Sequence, residues 1–193
     1  MSFESLRRFN DLLLAYQRIE RVVWVPGTTR NENDVEHRYM LTMLAWYLVR
    51  KDKLSLNLDL ILRYALVHDL VEVYAGDTYI YDPTAVATKH EREAKAGERL
   101  KREYPEFDDL HETIVAYEQQ EDAESRFVRA LDKVMPLLVG YTDGWRRWRE
   151  EKVTLQMAVD AKQEIINRSP EVRPYFDALV EELKGHPEFF KEE

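Results

Sequence analysis

Residues 65–78 read ALVHDLVEVYAGDT, and this stretch decides how the chain is expected to fold. It starts like an apolar helix, but it then brings four ionisable residues together within a short reach of chain: His68, Asp69, Glu72 and Asp77. Burying such groups among leucines and valines costs roughly 2–7 kcal/mol each unless something pairs with them. A bound metal ion would be such a partner.

The segment is predicted to lie in one continuous helix, because its apolar residues recur at helical spacing. Asn57 can cap this helix, and Gly76 can end it as a C-terminal glycine does. Inside it, His68 and Glu72 are four residues apart, and Asp69 and Glu72 are three apart. Residues at these spacings are neighbours on a helix surface. The three polar side chains are therefore expected to share one face.

Helices are predicted on both sides of this segment. Apolar spacing from Phe3 to Ile19 indicates a first amphipathic helix. Asn33 and Glu36 have the form of a capping box, which opens a second helix near Val35. That helix is apolar almost all round, which predicts a central position, and no convincing strand is found anywhere. Further helices are predicted at about residues 84–104, 107–117, 123–142, 154–168 and 171–184.

The composition favours a single helical domain. The chain has 193 residues, of which 45% are hydrophobic and 34% charged, with only 6 Gly and 7 Pro and no linker-like stretch. Such a balance is typical of one globular domain built mainly of helices. The predicted fold class is therefore all-α, a single helical-bundle domain over residues 1–193 whose motifs lie within about residues 18–142.

The composition also bounds the function. Without cysteine there is no thiolate zinc site and no cysteine nucleophile, so any metal must be held by His, Asp and Glu. Signal-peptide features and apolar runs of the roughly 20 residues needed to span a bilayer are missing, so a cytoplasmic location without a membrane partner is expected. The net charge of −9 argues against a polynucleotide partner, whereas a small phosphorylated ligand needs only a local basic pocket.

The candidate metal ligands are two imidazoles and two carboxylates: His37, His68, Asp69 and Asp132. Such a set suits one divalent ion such as Mn, Fe, Co, Ni, Zn or Mg. On an octahedral ion, four protein ligands leave two open positions, one for a water whose pKa falls toward neutrality and one for a phosphoryl oxygen. Glu72 follows the ligands closely in sequence and could orient or deprotonate that water.

Three motifs surround these residues: E-H at 36–37, H-D-x-x-E-V-Y-x-G-D at 68–77, and F-V-x-x-L-D at 127–132. Together they resemble the HD-domain phosphohydrolases, in particular the 5'-deoxynucleotidase branch of that family. Matching segments run from about Arg18 to Val139. The resemblance implies an all-α fold, removal of phosphate from a nucleotide substrate, and a homodimer as the state to expect.

For the site, the resemblance implies one divalent metal held by the four candidate ligands. It also implies that Glu72 assists the attacking water and that Asp77 helps to hold water or the sugar. In that branch an Arg shortly before the first ligand grips the substrate phosphate, and this Arg aligns best with Arg21 and less well with Arg18. Val22 stands where the bacterial enzymes have Trp. Strict deoxyribose selectivity is therefore not implied, and an altered sugar or a nucleotide analogue could be the natural substrate.

Three questions stay open at the level of the sequence. They are the length of the substrate's phosphate chain, whether the protein is an enzyme or a binding protein, and the number of metal ions. The substrate could be a nucleoside di- or triphosphate, including a modified nucleotide of a biosynthetic pathway, or the chain could be a non-catalytic nucleotide-binding regulator. Some HD proteins hold two metals with extra histidines, an outline that His90 and His111 fit, but their polar surroundings favour solvated helix faces and a single metal. WRRW at residues 145–148 could stack bases, although core packing is the simpler interpretation.

Overall fold

A helix of 20 residues, Ala123–Thr142, organises the fold, and we call it α7 from its place in the chain. It packs against Asp34–Lys51 (α2), which contains the E-H motif, and against Leu58–Val67 (α3), which ends directly before the H-D motif. The computed structural model describes residues 3–190, and helices dominate this range. The all-α fold class predicted from the sequence is therefore confirmed.

The remaining helices surround this centre. They are α1 (Phe3–Tyr16), α4 (Glu72–Ala75), α5 (Pro83–Glu103), α6 (Asp108–Gln119), α8 (Arg146–Glu150), α9 (Leu155–Asp160), α10 (Gln163–Ile166) and α11 (Arg173–Lys184), followed by a 3-10 turn at Pro187–Phe190. The prediction of one long helix over residues 154–168 was wrong. The chain turns at Ala161 and Lys162, so this range forms two short helices, α9 and α10. Within residues 3–190, no helix is both long and apolar enough to cross a membrane.

A hairpin between α1 and α2 contradicts the expectation that the chain has no strand. β1 (Glu20–Trp24) pairs antiparallel with β2 (Asn31–Asn33), with Glu20 opposite Asn33. Strands this short leave no clear alternation of apolar and polar residues, and β2 is polar throughout, so the pattern was not visible in the sequence. The hairpin brings Arg21, on β1, beside the start of α2.

The second helix, α2, begins with the predicted capping box. Asn33 accepts a hydrogen bond from the backbone N–H of Glu36, whose carboxylate accepts one from the N–H of Asn33. The predicted central position holds for one face of α2, which buries Leu41, Ala45 and Leu48. The opposite face is exposed and apolar, and its residues, called the α2 stripe below, are Val35, Tyr39, Met40, Met43, Trp46 and Tyr47.

The third predicted helix is broken where the polar residues begin. α3 ends at Val67, and the chain tightens into turns closed by hydrogen bonds from Leu70 N–H to Val67 O and from Glu72 N–H to Asp69 O, each 2.9 Å long. The short α4 follows, and Gly76 ends it with a φ of 76°. The prediction of one continuous helix was therefore wrong. Its two predicted end residues are nevertheless caps, because Asn57 caps the start of α3 and Gly76 the end of α4.

The tryptophans of residues 145–148 pack into the core. Trp145 has 0% exposure and Trp148 has 8%, and the centroids of their rings are 4.6 Å apart. A Cβ at Gly140 would lie 2.8 Å from the Trp145 ring, so only glycine fits at this point of α7. The core interpretation of this stretch is confirmed, and helix α8 begins at its second residue, Arg146.

Candidate metal centre

Four side chains from three parts of the bundle meet at one point. α2 supplies His37, the turn after α3 supplies His68 and Asp69, and α7 supplies Asp132. Each offers one ligand atom, and these atoms all lie within 4.8 Å of one another. The structure thus brings together the four candidate metal ligands named from the sequence, and we call them the four-residue cluster.

The break at the end of α3 helps two consecutive residues to face this cluster. Neighbours in a regular helix point about 100° apart, because one turn takes 3.6 residues. Here the Nε2 atom of His68 lies 2.9 Å from Oδ2 of Asp69 and 3.9 Å from Oδ1 of Asp132. The side chains converge as predicted, but they do so through a helix end rather than a shared helix face.

Both imidazoles are anchored by the nitrogen that points away from the cluster. His68 donates from Nδ1 to the backbone carbonyl of Ala65 at 2.9 Å. The Nδ1 atom of His37 lies 3.3 Å from the Glu32 carboxylate, and its Nε2 lies 2.9 Å from Oδ1 of Asp132. Histidines that bind metals are held in this way, with an outer partner fixing the ring and its tautomer.

The arrangement around His68 fits a cation. Since Nδ1 donates to a carbonyl, Nε2 is the nitrogen that faces the cluster, and it is buried without a hydrogen-bond partner among residues 3–190. It lies 2.9 Å from a carboxylate oxygen of Asp69, so this buried pair of atoms calls for a positive charge between them, either a proton or a metal ion. A divalent cation bound by both atoms would supply that charge.

Charge around the cluster keeps its carboxylates ionised. Burial would raise the pKa of Asp132, but Lys133, with Nζ 2.7 Å from Oδ2, and the two histidines hold that pKa well below its usual range. Burial and a nearby arginine lower the pKa of His37, but hydrogen bonds to Asp132 and Glu32 outweigh them and raise it. Asp132 is thus available as an anionic ligand at any physiological pH.

Glu72 lies beside the cluster and is 2% exposed. Its Oε2 atom has no hydrogen-bond partner in the described part of the chain, and its Oε1 atom is 3.7 Å from Nζ of Lys89. Burial raises the pKa of Glu72 to about 10, and the charges of Asp69 and Asp77 act in the same direction. A carboxyl group with these properties has a high affinity for protons, which suits a proton acceptor once a cation offsets the surrounding negative charge.

Of the two arginines considered from the sequence, Arg21 is at the site. Its Nη1 atom lies 3.1 Å from Oδ1 of Asp34 and 3.3 Å from Oδ2 of Asp69, and its Nε makes no hydrogen bond within the described residues. Arg18 is exposed, and it is not among the residues that line the cleft described next.

A cleft of about 550 Å³, counted out to its open mouth, adjoins the cluster. Its walls include Arg21, Val22 and Asp77 on one part, and Tyr81 and Trp148 on another. Burial raises the pKa of Asp77 above its ordinary value, and the charge of the nearby Arg21 offsets only part of this rise. A ligand with one group at the four-residue cluster could therefore extend past Arg21 and Asp77 into this cleft.

The two other candidate histidines lie elsewhere. His90 is exposed on α5, as expected. The expectation of a solvated face was wrong for His111, which is 9% exposed and donates from Nε2 to the backbone carbonyl of Tyr104 at 2.8 Å. This hydrogen bond ties the ring, in the first turn of α6, to the residue that caps the end of α5. Within residues 3–190, neither histidine joins a group of potential metal ligands.

Several residues of the site were not recognised in the sequence. Asp34 has 0% exposure and holds Arg21, but an acid in the first turn of a helix is usually a dipole partner. Lys133 follows Asp132 directly, and adjacent helical residues ordinarily point apart. Glu32, which faces His37, belongs to the unpredicted strand β2. Only a knowledge of the hairpin could have drawn attention to it.

Sequence comparisons connect the chain with one family and its members. A profile of the HD domain matches residues 15–173. The 5'-deoxynucleotidase HDDC2 of Bos taurus is 35% identical over 137 residues, which cover 69% of this chain and 65% of that protein. The 5'-deoxynucleotidase hdd1 of Schizosaccharomyces pombe is 26% identical over 139 residues, covering 67% of each chain. The chain thus spans slightly less than two thirds of the length of the bovine relative.

Structural comparison gives a match over the whole chain. A predicted metal-dependent phosphohydrolase from Magnetospirillum magnetotacticum MS-1 superimposes with a TM-score of 0.81 at 28% identity, covering 99% of both chains. A conserved hypothetical protein from Pyrococcus furiosus has a TM-score of 0.61 at 24% identity, covering 91% of this chain and 98% of its own, and shares the fold.

Proposed function

The chain belongs to the HD-domain family, and on that premise we propose that it is a metal-dependent phosphohydrolase that removes phosphate from nucleoside 5'-phosphates. The observation that carries the proposal is the four-residue cluster beside Arg21, which combines a cation site with a guanidinium on the wall of a cleft. The 5'-deoxynucleotidase names of the relatives support the same reaction.

One divalent ion, Co, Mn, Fe, Mg or Zn, would be held by the four-residue cluster, since imidazole and carboxylate ligands accept each of these ions. Bound there, it would supply the Lewis acidity that lowers the pKa of a water molecule and polarises a phosphoryl oxygen. The protein's own contribution is to hold the ligands in place. The Glu32 carboxylate and the Ala65 carbonyl fix the rings of His37 and His68.

Glu72 is the proposed proton acceptor for the attacking water. It is buried beside the cluster, and one of its oxygens has no hydrogen-bond partner within residues 3–190, so that oxygen can face a water molecule. Lys89 lies 3.7 Å from the other oxygen and can stabilise the carboxylate before it takes the proton. A purely binding protein would have no use for such a group, which favours the enzyme over the regulator.

Arg21 is the proposed phosphate ligand. Its Nη1 atom contacts Asp34 and Asp69 and its Nε lies 3.7 Å from the Glu32 carboxylate, so these acids orient a guanidinium that lines the cleft, where it can meet a phosphate. A guanidinium stabilises charge on the group being transferred and binds phosphate with fixed geometry. Asp34 holds the guanidinium in position, so the arginine is already oriented when the substrate arrives.

Asp77 and Val22 are the proposed contacts for the sugar, because both line the cleft next to Arg21. Asp77 can accept a hydrogen bond from a sugar hydroxyl or a water. Val22 is smaller than the Trp found at this position in the bacterial 5'-deoxynucleotidases that the sequence resembles, and it leaves more room beside the sugar. The proposal therefore includes ribose and altered sugars as well as deoxyribose.

The test is phosphate release by metal-stripped protein, reloaded in turn with Co, Mn, Mg and Zn, on ribo- and deoxynucleoside mono-, di- and triphosphates. Nucleoside and inorganic phosphate from monophosphates would support the proposal, and a Val22→Trp variant that gains deoxyribose preference would support the sugar contact. Stepwise loss of phosphate from longer chains would favour a di- or triphosphate substrate instead. Nucleotide binding without release under any metal would contradict the enzyme and favour the regulator.

A homodimer that pairs two copies through the α2 stripe is part of this proposal. The stripe is one continuous face of a helix, and a patch of large apolar side chains on a surface typically marks an interaction site. A two-fold axis would bring the stripe of one copy against the same stripe of the other. Light scattering should give a dimer for the wild type and a monomer for Met43→Lys. A wild-type monomer at micromolar concentration would contradict the proposed homodimer.

The cytoplasmic location of the protein stays a prediction.

A further inference from the structure

The cleft is bordered by aromatic rings as well as by Arg21 and Asp77. The ring centroids of Tyr79 and Tyr81 are 5.4 Å apart, and those of Tyr81 and Trp148 are 6.4 Å apart, both in edge-to-face contact. Aromatic walls give a planar ligand flat apolar surface on which to stack. Of the parts of a nucleotide, the base is the one that suits such walls.

Lys162 is an unusual residue of the same cleft. It is 2% exposed, and its Nζ lies 5.1 Å from the centroid of the Trp148 ring and 5.7 Å from that of Tyr81. Its ammonium group has no ion pair and no hydrogen bond with any residue that the structure describes. Burial lowers the pKa of Lys162 to about 8, and the charge of Lys133 acts in the same direction. The group is still largely protonated at neutral pH.

A second donor beside Lys162 also lacks a partner. The hydroxyl of Tyr81 is buried and makes no hydrogen bond within the described range, and burial raises its pKa, so it keeps its proton. A carboxylate on this wall, that of Glu151, is taken by Arg147 at 2.7 Å. This part of the cleft therefore presents two hydrogen-bond donors that a ligand could satisfy.

We propose that Lys162 and the Tyr81 hydroxyl form a subsite for the nucleobase, and that they select bases with a keto oxygen over bases with an amino group at the same ring position. A keto oxygen can accept a hydrogen bond from either group. An amino group would bring a third donor to this point and leave the buried ammonium unpaired, which is the kind of mismatch that a polar site rejects most strongly. The inference rests on the proposed function, since it takes the base of that substrate as its ligand.

The experiment uses nucleotide pairs that differ at this ring position: inosine and adenosine 5'-phosphates, and uridine and cytidine 5'-phosphates. The wild type should prefer the keto member of each pair by about tenfold or more in kcat/KM. Lys162→Met, which keeps the length of the side chain but removes its donors, should reduce the ratio to within about threefold of one, mainly by slowing the keto member. Tyr81→Phe should reduce it less. Lys101→Met, which changes an exposed lysine of α5, is the matched control and should keep the wild-type ratio.

Binding of the same nucleotides, measured by quenching of tryptophan fluorescence because Trp148 borders the cleft, separates this inference from the proposed function. Keto-selective binding that Lys162→Met removes would support the subsite even if no phosphate were released. Hydrolysis without keto preference in the wild type would leave the proposed function standing and overturn the subsite. An equal loss for both members of each pair in Lys162→Met would also overturn it, because that result assigns the lysine to the phosphate or to general electrostatics.

Discussion

Two regions of the molecule bury histidines between helices, and their surroundings differ. In the four-residue cluster, both nitrogens of His37 face carboxylates, those of Glu32 and Asp132. At the contact of α5 and α6, His111 donates to the carbonyl of Tyr104, and no ion pair of its ring is found within the described residues. The first region has more acceptors than its protons can satisfy, whereas the second is satisfied as it stands.

The difference shows that burial by itself does not mark a metal ligand. Both rings are less than one tenth exposed, so exposure would place them in the same class. What separates them is the balance of donors and acceptors, because unsatisfied buried acceptors are unfavourable and require a cation or protons. A cation site can thus be recognised by the charges that its residues leave unbalanced.

The same substitution in both regions would test this comparison most strongly. We expect His37→Gln to lower the affinity for a divalent metal by about 100-fold or more, since changing even an outer partner of a ligand typically costs about 10- to 100-fold. Phosphate release should fall with it. His111→Gln should keep metal content and activity and lose about 1–2 kcal/mol of stability, because a glutamine amide reaches the Tyr104 carbonyl less well than the imidazole does. Metal content by elemental analysis and thermal unfolding would measure both. Loss of metal from His111→Gln would contradict the distinction between a metal-binding and a structural histidine.

A change at Glu72 would sharpen the comparison inside the first region, because it separates holding a metal from using it. We expect Glu72→Gln to keep the metal and to lower kcat by about 10²–10⁴, the usual contribution of a general base. Single-turnover phosphate release together with metal analysis is the measurement. Unchanged hydrolysis would remove Glu72 from the mechanism.

A third prediction compares two arginines of one segment. Arg21→Lys keeps the positive charge beside Asp34 but loses the fork geometry that binds phosphate, so kcat/KM should fall by about 10- to 100-fold. Arg18→Lys, on the exposed surface, should change it less than about twofold. Steady-state kinetics on a nucleoside monophosphate would decide. Equal effects of the two changes would contradict the assignment of Arg21 to the phosphate.

The smallest expected effect concerns the other unbalanced group, Lys162. Its folded pKa of about 8 lies below the ordinary value of 10.5, so between these values the unfolded chain binds more protons and wild-type stability should rise with pH. Below about pH 8 the buried charge is fully unfavourable, and Lys162→Met should be more stable than the wild type by about 1–3 kcal/mol at pH 7. Urea unfolding at pH 7 and pH 10 would show the difference shrinking as pH rises. A less stable variant at pH 7 would mean that the cation–π contacts with Tyr81 and Trp148 outweigh the cost of burying the charge.

The four-residue cluster could be anticipated from the sequence because its members lie in motifs whose polar residues have no other evident reason to be buried. His68 and Asp69 interrupt an apolar stretch, and Asp132 lies among the core residues of α7. The fold class followed equally from the helical spacing of apolar residues. These features depend on local pattern, which the sequence displays directly.

The rest depends on contacts between different helices and strands, which the pattern within one element does not contain. The hairpin was missed because β1 and β2 are stabilised by pairing with each other and not by a pattern of their own. The exposure of His111 was misjudged because the end of α5 covers it. The burial of Lys162 could not be predicted, since a lysine within a predicted helix is usually solvated, and the rings of Tyr81 and Trp148 lie beside it only in the folded chain.

The break after α3 has a consequence for the design of metal sites. A designer who works with regular helices can place two ligands of one helix on a metal only at i, i+3 or i, i+4, because only these positions lie on one face. In this chain the proposed ligands include two consecutive residues, His68 and Asp69, at the point where the helix gives way to tight turns. A helix end directed at the centre of a bundle is thus a compact building block, and a scaffold that ends one helix early gains a ligand without lengthening the chain.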